Sequence, residues 1–124
     1  MGKINIIQTQ DIAERKHEFE KKLIFLSGPY SPTNRKTTEE NIKKAKEYSE
    51  IFWECGAYVL CPHTNSANME KKADYKVFCE AYKKMLGAFH SIVMLPGFYS
   101  SLGAMQELQE AINKNLFIYI IKEY

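Results

Sequence analysis

Four short runs of apolar residues divide the chain: LIFL at 23–26, AYVLC at 57–61, SIVML at 91–95 and LFIYII at 116–121. These runs are almost continuously apolar rather than alternating with polar residues, which is typical of strands that are covered on both faces. An earlier run, INII at 4–7, is compatible with one more strand at an edge of the sheet.

Helical patterns with recognisable ends separate these runs. Thr37 and Glu40 have the spacing of a capping box, and the helix that they begin is expected to end at Gly56. Asp74 is the predicted N-cap of a second helix, and a third is expected to begin near Ser101. The apolar residues predicted to face inward are Ile42, Ala45 and Phe52 (with Ser49), then Val77, Phe78, Ala81, Tyr82 and Met85, then Ala104, Leu108 and Ala111 or Ile112.

The alternation of strands and helices predicts an α/β fold, a flavodoxin- or Rossmann-like three-layer sandwich with a parallel sheet of four to five strands. Residues 23–124 are predicted to form this α/β domain. Residues 1–22 are an N-terminal extension, in which DIAERKHEFEKK is expected to be a charged helix. Residues 62–73 are expected to form an irregular loop with at most one helical turn.

Composition narrows the class of protein. The chain has 124 residues, 45% hydrophobic and 26% charged, which is ordinary for one globular domain, and a net charge of +2. Its lysine pairs fit solvated helix faces, so a nucleic acid polymer is not an expected partner. Cys55, Cys61 and Cys79 form no zinc-binding spacing, which favours reduced thiols, a cytoplasmic location, no metal and no cofactor. Residues 1–22 contain no long apolar run, so we expect no signal peptide and no membrane partner.

Polar turns, two of which contain glycine, follow three of the predicted strands. They are SGPY at 27–30, PHTN at 62–65 and GFYSSLG at 97–103. Because ligands bind outside the carboxyl ends of the strands in open parallel sheets, we expect these turns to meet at one rim. The candidate ligand contacts come from these turns and from the helix after the first of them. They are Gly28, Pro29, Tyr30, Asn41, His63, Phe98, Tyr99, Ser100, Ser101, Gly103 and Ala104.

Glu107 lies one helical turn beyond Gly103. Helical side chains lean toward the helix N-terminus, so the Glu107 carboxylate is expected to point back at this rim, over small residues. The helix start there also suits a phosphate, because it offers unpaired N–H groups and a positive dipole end. A structural role remains open for each candidate: Glu107 as a complement to the helix dipole, Tyr30 as a turn aromatic, and His63 as a satisfied histidine.

The segments LIFLSGPY, GAYVLCPH and IVMLPGFYSSLGAMQELQEA, with the asparagine near the first helix start, resemble the nucleoside 2-deoxyribosyltransferase superfamily over residues 23–121. That superfamily includes nucleotide N-glycosidases and small phage and bacterial relatives. The resemblance implies that Glu107 attacks the anomeric carbon of a nucleoside or nucleotide, expels the base and forms a covalent intermediate. It also implies that Tyr30 holds this nucleophile, that Ser101, Gly103 and Ala104 receive a 5′-phosphate or sugar hydroxyl, and that the protein is a homo-oligomer, a dimer or higher.

The chain departs from that superfamily's pattern at two positions. His90 stands where an aspartate is common, and Tyr82 stands where members carry an acidic residue that helps to protonate the leaving base; Glu80 and Asp74 are out of register. Three functions therefore remain. The first two are an N-glycosidase or deoxyribosyltransferase, and a phage-type protein that sequesters or traps an ADP-ribose-derived, cyclic ADP-ribose-like immune signal. A third is an interaction module with a vestigial pocket.

Overall fold

The computed structural model describes residues 4–30, 35–67, 69 and 72–123. Its elements in chain order are β1 (Ile4–Gln8), β2 (Leu23–Ser27), α1 (Arg35–Glu54), β3 (Tyr58–Leu60), α2 (Pro62–Asn65), α3 (Tyr75–Met85), β4 (Ser91–Met94), α4 (Leu102–Asn113) and β5 (Phe117–Lys122). Short 3-10 segments cover Thr9–Asp11, Ala13–Glu18, Leu86–Ala88 and Phe98–Ser100.

The five strands form one parallel sheet in the order β1-β5-β4-β2-β3. This confirms the predicted α/β class, and it confirms INII as an edge strand, in which Ile4 pairs with Ile118. The chain winds from β2 to β3 on one side and then returns to β4 on the other side of β2. In doubly wound sheets such a switch point opens a crevice outside the carboxyl ends of the two strands, here β2 and β4.

Alternate residues of β2 pack into two different cores. Ile24 and Leu26 belong to the core on the α1 face, together with Phe52. Phe25, between them, belongs to the core on the face of α3 and α4, together with Ala111. Helices therefore cover both faces of the sheet, which gives the predicted three layers and explains why the strands are almost continuously apolar.

The residues that precede β2 contribute to the core on the α1 face. Ile12 and Phe19 are fully buried, and the Phe19 ring contacts the rings of Phe52 and Tyr119, with centroids 5.0 and 4.8 Å apart. The charged α-helix predicted here is wrong, because the segment forms 3-10 turns with a non-helical Arg15. The free energy gained by burying Ile12 and Phe19 against the sheet is larger than the helix propensity of the charged residues between them.

Local signals placed the ends of two helices correctly. The Asp74 carboxylate accepts a hydrogen bond from the Lys76 N–H at 3.0 Å, and the Ser101 hydroxyl accepts one from the Ala104 N–H at 3.2 Å. Within the predicted loop after β3, Pro62–Asn65 forms the single helical turn. These short-range hydrogen bonds need no information from the rest of the fold.

Two other helix predictions are wrong. The helix α1 begins at Arg35, so Thr37 lies inside it rather than at a capping position. Val77 and Met85 of α3 were expected to face inward, but their side chains are 56% and 44% exposed. Of the two alternatives in α4, Ala111 is buried and Ile112 is exposed. Tyr82 is the buried residue of α3, and Val77, five positions earlier, projects from a different side of the helix.

Candidate active site

A pocket opens at the carboxyl edge of the sheet, beside the switch point between β2 and β4. The turn after β2, the short helix α2, one face of α3 and the first turns of α4 form its walls, around a cavity of about 50 Å³. We call it the inner pocket. The predicted site residues that line it are Gly28, Tyr30, His63, Ser101, Gly103, Ala104 and Glu107.

A wider groove, the outer groove, continues from the inner pocket between α1, α3 and α4. Tyr30, Tyr75, Cys79, Ser101 and Gly103 line both spaces and form their common boundary. The remaining predicted contacts that reach this groove are Pro29, Asn41 and Ser100, and its lysines are Lys76 and Lys83.

Phe98 and Tyr99, which were predicted to contact a ligand, line neither space. Phe98 packs against the core on the face of α3 and α4, and Tyr99 is 76% exposed. The two residues lie in a 3-10 turn that follows Gly97, whose φ of 84° is left-handed. Of the three residues of this turn, Ser100 lines the outer groove.

Glu107 is held by a serine that the sequence reasoning missed. The buried Ser27 hydroxyl, at the end of β2, donates a hydrogen bond to Glu107 Oε1 at 2.6 Å. Burial raises the pKa of Glu107 to about 7, although the Ser27 hydrogen bond and the charge of Lys83 both lower it. The carboxyl group therefore changes its charge near neutral pH. The position of Ser27 immediately before a Gly-Pro turn was the signal that could have identified it.

His63 presents an unsatisfied nitrogen. Its side chain is 5% exposed, and Nε2 lies 2.7 Å from the Pro29 carbonyl oxygen, to which it donates. Burial lowers the pKa of His63, so the ring is neutral and Nδ1 is an acceptor. Nδ1 is buried and has no hydrogen-bond partner among the described residues. Because His63 lines the inner pocket, a ligand N–H or O–H group would satisfy this atom.

The helix α3 lines the pocket with aromatic rather than acidic side chains. The Tyr82 hydroxyl, at the position where the resemblance implies an acid, accepts a hydrogen bond from Asn65 at 2.9 Å and donates one to Ser66 at 2.8 Å. Glu80 lines the outer groove instead. Among the described residues that line the inner pocket, Glu107 is the sole carboxyl group.

The start of α4 is less open to a phosphate than its sequence indicates. The Ser101 hydroxyl already accepts from the Ala104 N–H, so one of the unpaired donors of the first turn is satisfied. A Cβ on Gly103 would lie 3.3 Å from the Tyr75 hydroxyl. The glycine therefore makes room for Tyr75, another residue that the sequence reasoning missed.

The family described as a domain of unknown function, DUF4406, matches residues 22–121. This chain belongs to that family. The match begins one residue before β2, so β1 and the 3-10 segments that follow it lie outside the matched range. A comparison with curated proteins finds no match.

The described part of the chain has neither a cluster that could hold a metal ion nor a helix that could cross a membrane. No three His, Cys, Asp or Glu side chains within it are grouped so that they could hold a metal ion. None of its helices has both the length and the apolar character that crossing a membrane requires.

Proposed function

We propose that the protein cleaves or transfers the N-glycosidic bond of a nucleoside or nucleotide, with Glu107 as the nucleophile. The observation that carries this proposal is the Glu107 carboxyl group, which lines the inner pocket while Ser27 holds its Oε1 at 2.6 Å. The Ser27 hydrogen bond fixes one oxygen, and in the proposed mechanism the other attacks the sugar carbon. A pKa of about 7 leaves a substantial carboxylate fraction at neutral pH.

The reaction would proceed in two displacements. The Glu107 carboxylate attacks the anomeric carbon, the bond from that carbon to the base nitrogen breaks, and the electron pair leaves with the base, which takes up a proton. Water or a second base then attacks the same carbon, gives up a proton to solvent and releases the Glu107 carboxylate. The unpaired Nδ1 of His63 would accept a hydrogen bond from a sugar hydroxyl or a base N–H group.

Protonation of the leaving base is the least supported step, and this favours a second candidate function. The described lining of the inner pocket offers no second carboxyl group as a general acid. Burial raises the pKa of Tyr75, so this phenol holds its proton strongly. A nucleophile without acid support would react slowly. Such a site suits a phage-type anti-defence protein that sequesters or covalently traps an ADP-ribose-derived, cyclic ADP-ribose-like signal.

Exposed apolar residues beside the site support the proposed homo-oligomer. Leu102 and Met105 of α4, with Tyr99 before it, are large apolar side chains that remain exposed. Such a patch next to a ligand site is typical of an interface with another chain. The free cysteines Cys55 and Cys61 are buried, which supports a reducing cytoplasm, that of the host if a phage encodes the chain.

The test is chromatography with mass detection after incubation with nucleosides, ribo- and deoxyribonucleoside monophosphates, NAD and cyclic ADP-ribose compounds. Free base in molar excess over protein is expected for the enzyme, and Glu107→Gln should lower its rate by at least about a thousand-fold. Glu110→Gln, on the same helix and paired with Lys114 at 3.8 Å, is the matched control and should retain the rate.

Two other outcomes have defined meanings. Loss of one ligand from solution in a one-to-one ratio with protein, without free base, would identify the trap. Base release that is unchanged in Glu107→Gln would show that Glu107 is not the nucleophile.

A further inference from the structure

Tyr30 and Tyr75 occupy the boundary between the inner pocket and the outer groove. Both side chains line both spaces, so a ligand that extends from Glu107 into the groove must pass them. Tyr30 comes from the turn after β2, and Tyr75 is the first residue of α3. The resemblance described above concerns Tyr30 and assigns no role to Tyr75.

The two rings are nearly parallel but leave most of each other's faces uncovered. Their planes differ by 10° and their centroids lie 6.2 Å apart. Two rings in full face-to-face contact would have centroids about 3.5–4 Å apart. The two rings therefore overlap only in part, and both side chains line the inner pocket together with Glu107.

Both rings are braced by neighbours. The Tyr75 hydroxyl lies over the first turn of α4, where Gly103 leaves room for it, and it hydrogen-bonds with the Cys79 thiol. The Tyr30 ring meets the His63 ring edge to face, with centroids 5.6 Å apart and planes at 72°. Fixed aromatic faces bind a planar ligand with little loss of conformational entropy.

We propose that Tyr75, with Tyr30, forms the stacking site for the base of the ligand. This inference rests on the proposed function for the ligand class, a nucleoside or nucleotide. With the sugar in the inner pocket against Glu107, the base lies at the boundary, on the two rings, and the N-glycosidic bond spans the opening between them. Stacking accepts any base, because every base has a flat π face, so Tyr75 contributes affinity and orientation rather than a choice between bases.

The experiment measures binding in the Glu107→Gln background, so that turnover does not interfere and a failure of the proposed chemistry does not affect the result. The probes are the 5′-monophosphates of adenosine, guanosine, cytidine and uridine, with ribose 5-phosphate as the probe without a base. When Tyr75→Leu is added to this background, the affinity for the nucleotides should fall by on the order of ten-fold or more, and the affinity for ribose 5-phosphate should not change. Tyr75→Phe should retain the nucleotide affinity, since it keeps the ring.

Tyr58→Leu is the matched control, because this half-exposed tyrosine of β3 lies at the opposite end of the strands and should not affect binding. Equal weakening of nucleotides and ribose 5-phosphate, unchanged nucleotide affinity in Tyr75→Leu, or no binding of any nucleotide at millimolar concentration would overturn the proposal. If Tyr75→Leu does not fold, the ultraviolet absorbance of the base is followed as nucleotide binds to the Glu107→Gln protein. A stacked base loses absorbance, and an unchanged spectrum would overturn the proposal.

Discussion

Glu107 and Glu123 both lie at the carboxyl edge of the sheet, and both accept a short hydrogen bond from a hydroxyl group. Ser27 donates to Glu107 at 2.6 Å, and Tyr48 donates to Glu123 at 2.5 Å. Glu123 also accepts from the Lys44 ammonium at 2.7 Å, and its pKa is lowered, with the Lys44 hydrogen bond as the first cause. Burial instead raises the pKa of Glu107 to about 7.

A hydroxyl partner therefore does not decide the charge of a carboxyl group at this edge. The charge depends on exposure to solvent and on a neighbouring cation. Glu123, which is partly exposed and paired with Lys44, remains ionised at neutral pH. The buried Glu107 is only partly ionised at the same pH. Tyr48 also hydrogen-bonds Thr9, so the Glu123 cluster ties α1 to the segment after β1. One carboxyl group links two segments of the fold, and the other lines the inner pocket.

The largest expected difference between the two carboxyl groups is in the pH dependence of stability. Folding raises the pKa of Glu107 from 4.5 to about 7, so its stabilising contribution is complete below pH 4.5 and is lost as the pH rises through 7. By about pH 8 its buried charge costs up to about 3 kcal/mol. We expect Glu107→Gln, which stays neutral, to match the wild type near pH 4.5 and to exceed its free energy of unfolding near pH 8, measured with urea. If the free energy of unfolding of the variant near pH 8 is no higher than that of the wild type, burial does not disfavour the Glu107 carboxylate.

Removal of the Ser27 hydroxyl should have the next largest effect. A hydrogen bond to a carboxylate contributes about 1.5–3 kcal/mol, so Ser27→Ala should raise the Glu107 pKa by about one unit or more, as followed by NMR titration of this side chain. Because less carboxylate is then present at neutral pH, base release should fall about five-fold or more. Ser91→Ala is the matched control, since Ser91 is also a fully buried strand serine but hydrogen-bonds His90 at the opposite edge. An unchanged titration midpoint in Ser27→Ala would contradict the role given to Ser27.

Glu123→Gln should have the smallest effect and the opposite pH dependence. The lowered pKa of Glu123 means that its stabilising contribution is present above pH 4.5 and is lost as the pH falls through the folded-state pKa. The pair is partly exposed, so we expect a loss of only about 1 kcal/mol in the free energy of unfolding at neutral pH, and no loss in acid. Ligand binding and base release should be unchanged. A loss of base release in Glu123→Gln would mean that the two carboxyl groups are coupled.

Patterns of short range account for the part of the fold that the sequence predicted. Continuous apolar runs placed β2 to β5 in a parallel sheet, and the hydrogen bonds of Asp74 and Ser101 fixed two helix starts. The spacing of Glu107 from Gly103 also placed both residues in the lining of one pocket, because helix geometry sets which side chains share a face.

Contacts between distant residues account for what was missed. The Ser27 and Glu107 partners are 80 residues apart, and Tyr75 reaches Gly103 from another helix. The 3-10 segments before β2 likewise follow from where Phe19 packs rather than from local propensity. A pattern within ten or so residues contains no information about such partners.

The sequence by itself determined the strands, the parallel sheet, two helix caps and the candidacy of Glu107, since each depends on the spacing of neighbouring residues. The tertiary structure decided the charge of that glutamate. Its pKa depends on how much water the packed helices exclude, on the hydroxyl of Ser27 and on the position of Lys83. Desolvation is a property of the assembled pocket, so only the folded chain brings the carboxyl group of Glu107 to titrate near neutral pH.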